Sequence, residues 1–108
     1  MKIQNQQHKT SQLIKKTIHK KNPDAKVILF GSHARGDAKD DSDWDVLILL
    51  NQSEVDRKTE REYQDTLFDL ELQIGQPITT YVFAKKDWES RYSITPFYQN
   101  ILKDGIPL

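Results

Sequence analysis

Apolar positions along this chain follow two rhythms. Between Gln6 and Lys21 they return at helical spacing, with Leu13, Ile14 and Ile18 on one face. This predicts an amphipathic helix, which Asn22-Pro23-Asp24 stops. "KVILF" and "WDVLILL" are instead short, nearly unbroken apolar runs. They predict two buried strands, the second without an exposed face except at its start. Ser53 is the expected N-cap of the next helix, with Asp56 at the capping-box position. Val55, Tyr63, Leu67, Leu70 and Ile74 mark its inward stripe. Gly75-Gln76-Pro77 reads as a turn into a third strand, Ile78 to Phe83. A short helix is expected over Lys85 to Arg91. A last one runs from Thr95, with Pro96 at its first position, to Asp104, where Gly105 ends it. The order αβ(turn)βαβαα predicts an α/β fold, with helices packed on a small mixed sheet.

Length and composition narrow the picture. With 108 residues there is room for one domain and one modest core. Net charge is zero, so no global field draws the chain to nucleic acid or anionic membrane, and any attraction must come from local patches. The absence of cysteine excludes disulfides, thiolate nucleophiles and cysteine-ligated zinc. No apolar run has the length of a membrane span, and the polar start "MKIQNQQHKTSQ" is not a secretory signal. A cytoplasmic location is expected. There is no internal repeat, linker or low-complexity tract.

The candidate chemistry lies between the first two strands, in "ILFGSHARGDAKDDSDWDVLILL". Asp43 and Asp45 stand two residues apart at the mouth of a strand, so both side chains leave the same face of the sheet. Two carboxylates held about 5–7 Å apart repel each other unless a cation sits between them. Mg²⁺ prefers such oxygen ligands, commonly one or two carboxylates plus substrate phosphates. Gly31-Ser32 closes the preceding strand, and residues 31–36 read as one tight helical turn bracketed by Gly31 and Gly36. Gly31 allows a sharp bend and the close approach of a ligand. The turn offers free amides, Ser32 a hydroxyl, and Arg35 a planar fork for phosphate oxygens. If the two strands are neighbours, this cradle faces the carboxylate pair, the layout a metal–triphosphate needs.

Other motifs fail on their letters. A Walker A loop would need Lys and Ser or Thr where Asp37 and Ala38 stand. An EF-hand starting at Asp41 would need Gly at Val46 and Glu at Gln52. No G-x-G-x-x-G dinucleotide loop occurs.

Gly31-Ser32, ten intervening residues and Asp43-Trp44-Asp45 resemble the signature of the minimal nucleotidyltransferases of the DNA polymerase β superfamily. Ala34, Arg35, Gly36 and Ser42 also match its common form, G-S-x-A-R-G … S-D-x-D. The ending "WES…TPFYQNILKDG" is similar too. The resemblance implies a polymerase β-like nucleotidyltransferase fold. It implies two Mg²⁺ ions on Asp43 and Asp45 as catalytic metal ligands, and a nucleoside triphosphate, ATP, at Gly31, Ser32, Arg35 and Gly36. The reaction implied is transfer of a nucleoside monophosphate to an acceptor hydroxyl with release of pyrophosphate. Small members are often antitoxins paired with a HEPN-domain toxin, some adenylylating a tyrosine of that partner. Active members usually carry a third acid on a later strand. Here it would fall at Thr79, or failing that Thr80, and threonine cannot supply the charge. Spacing gives no reason for Asp69 or Glu71 to replace it.

Two rival functions stay open. One is a non-catalytic interaction module that neutralises its partner by binding, and the missing third acid favours it. The other is a nucleic-acid binder using the basic helix end Lys15, Lys16, His19, Lys20 and Lys21. Those residues also suit a solvated helix C-terminus, and the aromatic interleaving typical of nucleic-acid contacts is missing, so nucleic acid is not the expected partner. Asp43 and Asp45 could be a solvated turn like Asp37, Asp40 and Asp41, and Arg35 could pair with a loop aspartate. His33 is read as a rim residue, Trp44 as packing under the sheet, and Trp88, Phe97 and Tyr98 as core beneath the last helices. Tyr63 and Tyr92 receive no role beyond this. Assembly with itself or with a second subunit is left open, though the chain is too small to carry its own acceptor-binding domain.

Overall fold

The computed structural model describes residues 2–108, with side chains from His8 onward. Helix α1 (Lys2–Lys21) leads into β1 (Lys26–Phe30), the single turn α2 (Ser32–Arg35) and β2 (Trp44–Leu50). Helix α3 (Arg57–Ile74), β3 (Ile78–Ala84), α4 (Lys85–Ser90), α5 (Pro96–Asp104) and β4 (Ile106–Pro107) follow. The four strands form one sheet in the order β3-β2-β1-β4. β1 runs antiparallel to β2 and β4, while β2 runs parallel to β3, so the sheet is mixed. The parallel pair needs a crossover, which α3 supplies.

Strand alternation on β2 divides the core. Trp44, Val46, Ile48 and Leu50 point to one face, where Ile14 and Ile18 of α1 and Tyr63, Leu67 and Leu70 of α3 cover them. Leu47 and Leu49 point to the other, where Trp88 of α4 and Ile101 of α5 close over them. Helices on both faces explain why "WDVLILL" carries no polar residue after its start. Burying an aliphatic side chain of this kind stabilises the fold by about 1.5–3 kcal/mol. The second face is aromatic: the Phe97 ring lies 5.6 Å from Phe30 and 5.2 Å from Tyr81. Trp88, Phe97 and Tyr98 do pack there, and Tyr63 turns out to be core on the first face.

Two local expectations are corrected and one strand is added. The cap of α3 is Asp56, whose carboxylate accepts the Thr59 amide at 2.8 Å, and not Ser53. Leu13 is 37% exposed, so the inward face of α1 runs through Ile14 and Ile18 without it. Beyond Gly105, β4, which the expected element order lacks, adds a short edge strand to β1, and the Leu108 amide donates to the Val27 carbonyl at 2.8 Å. Among the described residues, no helix is long and apolar enough to cross a membrane.

Candidate functional site

The register of β2 places the two aspartates. Asp45 lies opposite Phe30 of β1 and beside Thr79 of β3, on the face it shares with Leu47 and Leu49. Asp43 precedes the strand, and its Oδ2 accepts the Thr79 hydroxyl at 3.3 Å. Thr79 thus touches one aspartate by hydrogen bond and neighbours the other in the sheet. Asp43 is exposed and Asp45 half-buried. Burial pushes the Asp45 carboxyl above its ordinary value of 3.8, and the Asp43 charge pushes it further the same way. The neighbouring His33 and Arg35 act in the opposite direction. Neither aspartate makes an ion pair among the described residues.

The glycine-bounded turn meets this pair directly. Gly31 has φ 77° and ψ −157°, a conformation essentially restricted to glycine. A Cβ built there would overlap Asp45 Oδ2 and stand 3.1 Å from its Cγ. The bare backbone at Gly31 is what lets the turn and the carboxylate occupy adjacent space. Inside α2 the Arg35 amide donates to the Gly31 carbonyl at 3.0 Å, so the amides of Ser32, His33 and Ala34 precede the first intrahelical bond. Gly36 leaves the turn at φ 83°, in the left-handed region.

Arg35 makes the loop ion pair that a solvated reading foresaw, and one more. Its Nε lies 3.3 Å from Asp37 Oδ2, and its Nη1 lies 3.8 Å from Asp104 Oδ2 at the end of α5. With 45% of the Arg35 side chain exposed, such pairs contribute only about 0–1 kcal/mol, so the guanidinium can exchange them for a stronger anion at little cost.

His33 does more than line a rim. Its ring stacks on Trp44 at 3.7 Å between centroids and 8° between planes. Its Nε2 donates to the Ser42 carbonyl at 3.1 Å, while its Nδ1 is buried without a hydrogen-bond partner among the described residues. Trp44 Nε1 in turn donates to Gln76 Oε1 at 2.6 Å. The turn, the aspartate loop and the entry to β3 are therefore tied together through one indole. Nothing in the spacing of His33, Trp44 and Gln76 announces this, because the three meet only once the sheet has formed.

The donor set suits a hard divalent cation accompanied by phosphate: two carboxylates, an adjacent cradle that a Cβ would fill, and a half-buried Asp45 raised by burial and by the Asp43 charge. Asp69 is exposed on α3. Glu71 is committed elsewhere, its Oε1 accepting the Ile78 amide at 2.8 Å.

Known proteins bear on this geometry. The nucleotidyltransferase domain family matches residues 11–107, nearly the whole chain. The chain belongs to that family. No curated protein matches it. Among solved structures, this nucleotidyltransferase domain is similar to a crystal structure of a toxin–antitoxin with AMP-PNP. The TM-score is 0.63 at 20% identity, over 87% of this chain and 68% of the other. At that identity the likeness speaks for the fold, whose mixed sheet and flanking helices agree with the α/β nucleotidyltransferase architecture expected from the motif.

Proposed function

We propose that this chain binds a magnesium nucleoside triphosphate, ATP, at Gly31, Ser32, Arg35 and Gly36 opposite Asp43 and Asp45, and transfers its nucleoside monophosphate to a hydroxyl on another protein. The observation that carries the reading is the closeness of the Gly31 backbone to the Asp45 carboxylate, which would let phosphate and cation ligands meet at one point. Membership of the nucleotidyltransferase domain family supports the reaction class. The similarity to a toxin–antitoxin with AMP-PNP supports ATP as the nucleotide and a toxin as the partner. The proposed setting is the cytoplasm, with this chain as antitoxin to a HEPN-domain protein.

In the proposed reaction the acceptor oxygen forms a bond to the α-phosphorus, the bond from that phosphorus to the β-bridging oxygen breaks, pyrophosphate leaves and the hydroxyl proton is released. Magnesium, when bound, would make the acceptor hydroxyl more acidic and offset charge on the triphosphate. The chain's own residues do the positioning. Asp45, inside β2, and Asp43, just before its first residue, would hold the magnesium ion. The Thr79 hydroxyl orients Asp43. Ser32 and the turn amides hold phosphate oxygens, and Arg35 releases Asp37 and Asp104 to join them. His33, by fixing Ser42, keeps the aspartate loop against the turn.

Thr79 favours a second reading, in which the chain neutralises its partner by binding alone. α-labelled ATP supplied to this chain and a co-expressed neighbour-encoded protein separates the two. Label on the neighbour, lost with Asp43→Asn, supports transfer. No label, together with full neutralisation by an Asp43/Asp45 double variant, contradicts it and leaves the binding module.

A further inference from the structure

We propose that this chain by itself holds one divalent cation, brought in on the triphosphate and gripped by Asp43 and Asp45, and that Thr79 is the residue that denies it a second. The inference rests on the nucleotide-binding reading above and sharpens it into a stoichiometry.

Ligand supply limits how many cations the site can hold. Two divalent cations sharing a site sit about 3.5–4 Å apart and repel each other strongly, so bridging carboxylates must screen them. Magnesium is further restricted to oxygen donors in near-octahedral array, and it gives up its waters reluctantly. One cation is well served here: Asp43, Asp45 and the phosphates it arrives with supply the charge. A second would need another carboxylate within reach of the same point. The position geometrically able to provide it is Thr79, the sheet neighbour of Asp45 and hydrogen-bond partner of Asp43. Its hydroxyl is neutral and donates toward Asp43 Oδ2, occupying an oxygen that a cation would want.

Of the remaining acids, Glu71 holds the first amide of β3, and Asp37 and Asp104 are grouped around Arg35, at 3.3 and 3.8 Å. The His33 Nε2 is spent on the Ser42 carbonyl. Among the described residues, no three His, Asp or Glu side chains are grouped so as to hold a metal ion. Two acids and a hydroxyl make a single-cation site.

The test counts ions rather than turnover. Equilibrium dialysis with Mn²⁺ and saturating AMP-PNP, read by the spin-resonance signal of free Mn²⁺, gives cations and nucleotides bound per chain. The expected result is one of each for the natural protein and for Thr79→Asn, and two cations with one nucleotide for Thr79→Asp. Two cations on the natural protein would overturn the inference while leaving the nucleotide site intact. A Thr79→Asp protein that is folded by circular dichroism yet still binds one would overturn the role given to Thr79. Absence of nucleotide binding altogether would overturn both the inference and the reading beneath it. Should Thr79→Asp fail to fold, the count on the natural protein decides.

Discussion

At the scale of single residues, Asp45 carries the tension of the site. Burial and the Asp43 charge raise its carboxyl pKa in the folded chain, so the folded state binds that proton more tightly than the unfolded one. Ionising Asp45 at neutral pH therefore costs stability, and the favourable contribution of its protonated form is fully present only below the ordinary value of 3.8. Asp45→Asn should raise the thermal midpoint of the nucleotide-free protein at pH 7. That advantage should shrink as the pH falls through the raised pKa toward 3.8. Thermal unfolding followed by circular dichroism across this range checks it, and an equal or lower midpoint for the variant at pH 7 would speak against the strain described here. The pair itself was readable from the letters, since D-x-D at a strand mouth fixes a common face. The contact that gives the pair its meaning was not. That Gly31 lies against Asp45 depends on how β1 and β2 are registered, with Phe30 opposite Asp45, and one residue of slip would turn the carboxylate to the other face.

At the scale of elements, local chemistry set the boundaries that could be read, and tertiary pairing set those that could not. α5 begins and ends where Pro96 and Gly105 place it. α3 does not begin at Ser53, because the stretch "SEVD" offers two capping residues three positions apart and the Asp56 carboxylate reaches the Thr59 amide. β4 has two residues, too few for any periodicity, and exists because β1 offers it an edge. The cap is testable by its own pH signature. Hydrogen bonds from Thr59 hold the Asp56 carboxyl below its ordinary range, so its contribution to stability is present above pH 3.8 and is lost as the pH falls through the lowered value. Asp56→Ala should lower the thermal midpoint at neutral pH, and the gap to the natural protein should close in acid. A gap that persists unchanged at low pH would mean the carboxylate is not what caps α3.

At the scale of the whole molecule, helices on both faces of a four-stranded sheet leave the ends of β1, β2 and β3 open at one edge of the structure. The G-S turn, the aspartates and Thr79 gather at that end. A groove of about 370 Å³ lined by Gln64, Asp65, Phe68, Ile78, Thr79 and Thr80 runs past it. An open ledge of this kind offers little to select an acceptor, consistent with a second protein supplying that choice in the proposed reaction. Everything in the account depends on the turn and the acid pair working as one site for a magnesium-bearing nucleotide. Isothermal titration of Mg²⁺–ATP into the purified chain tests this most directly. The account predicts saturable binding that requires Mg²⁺ and disappears with Asp43→Asn. No heat of binding at millimolar nucleotide, or undiminished binding by the variant, would contradict it.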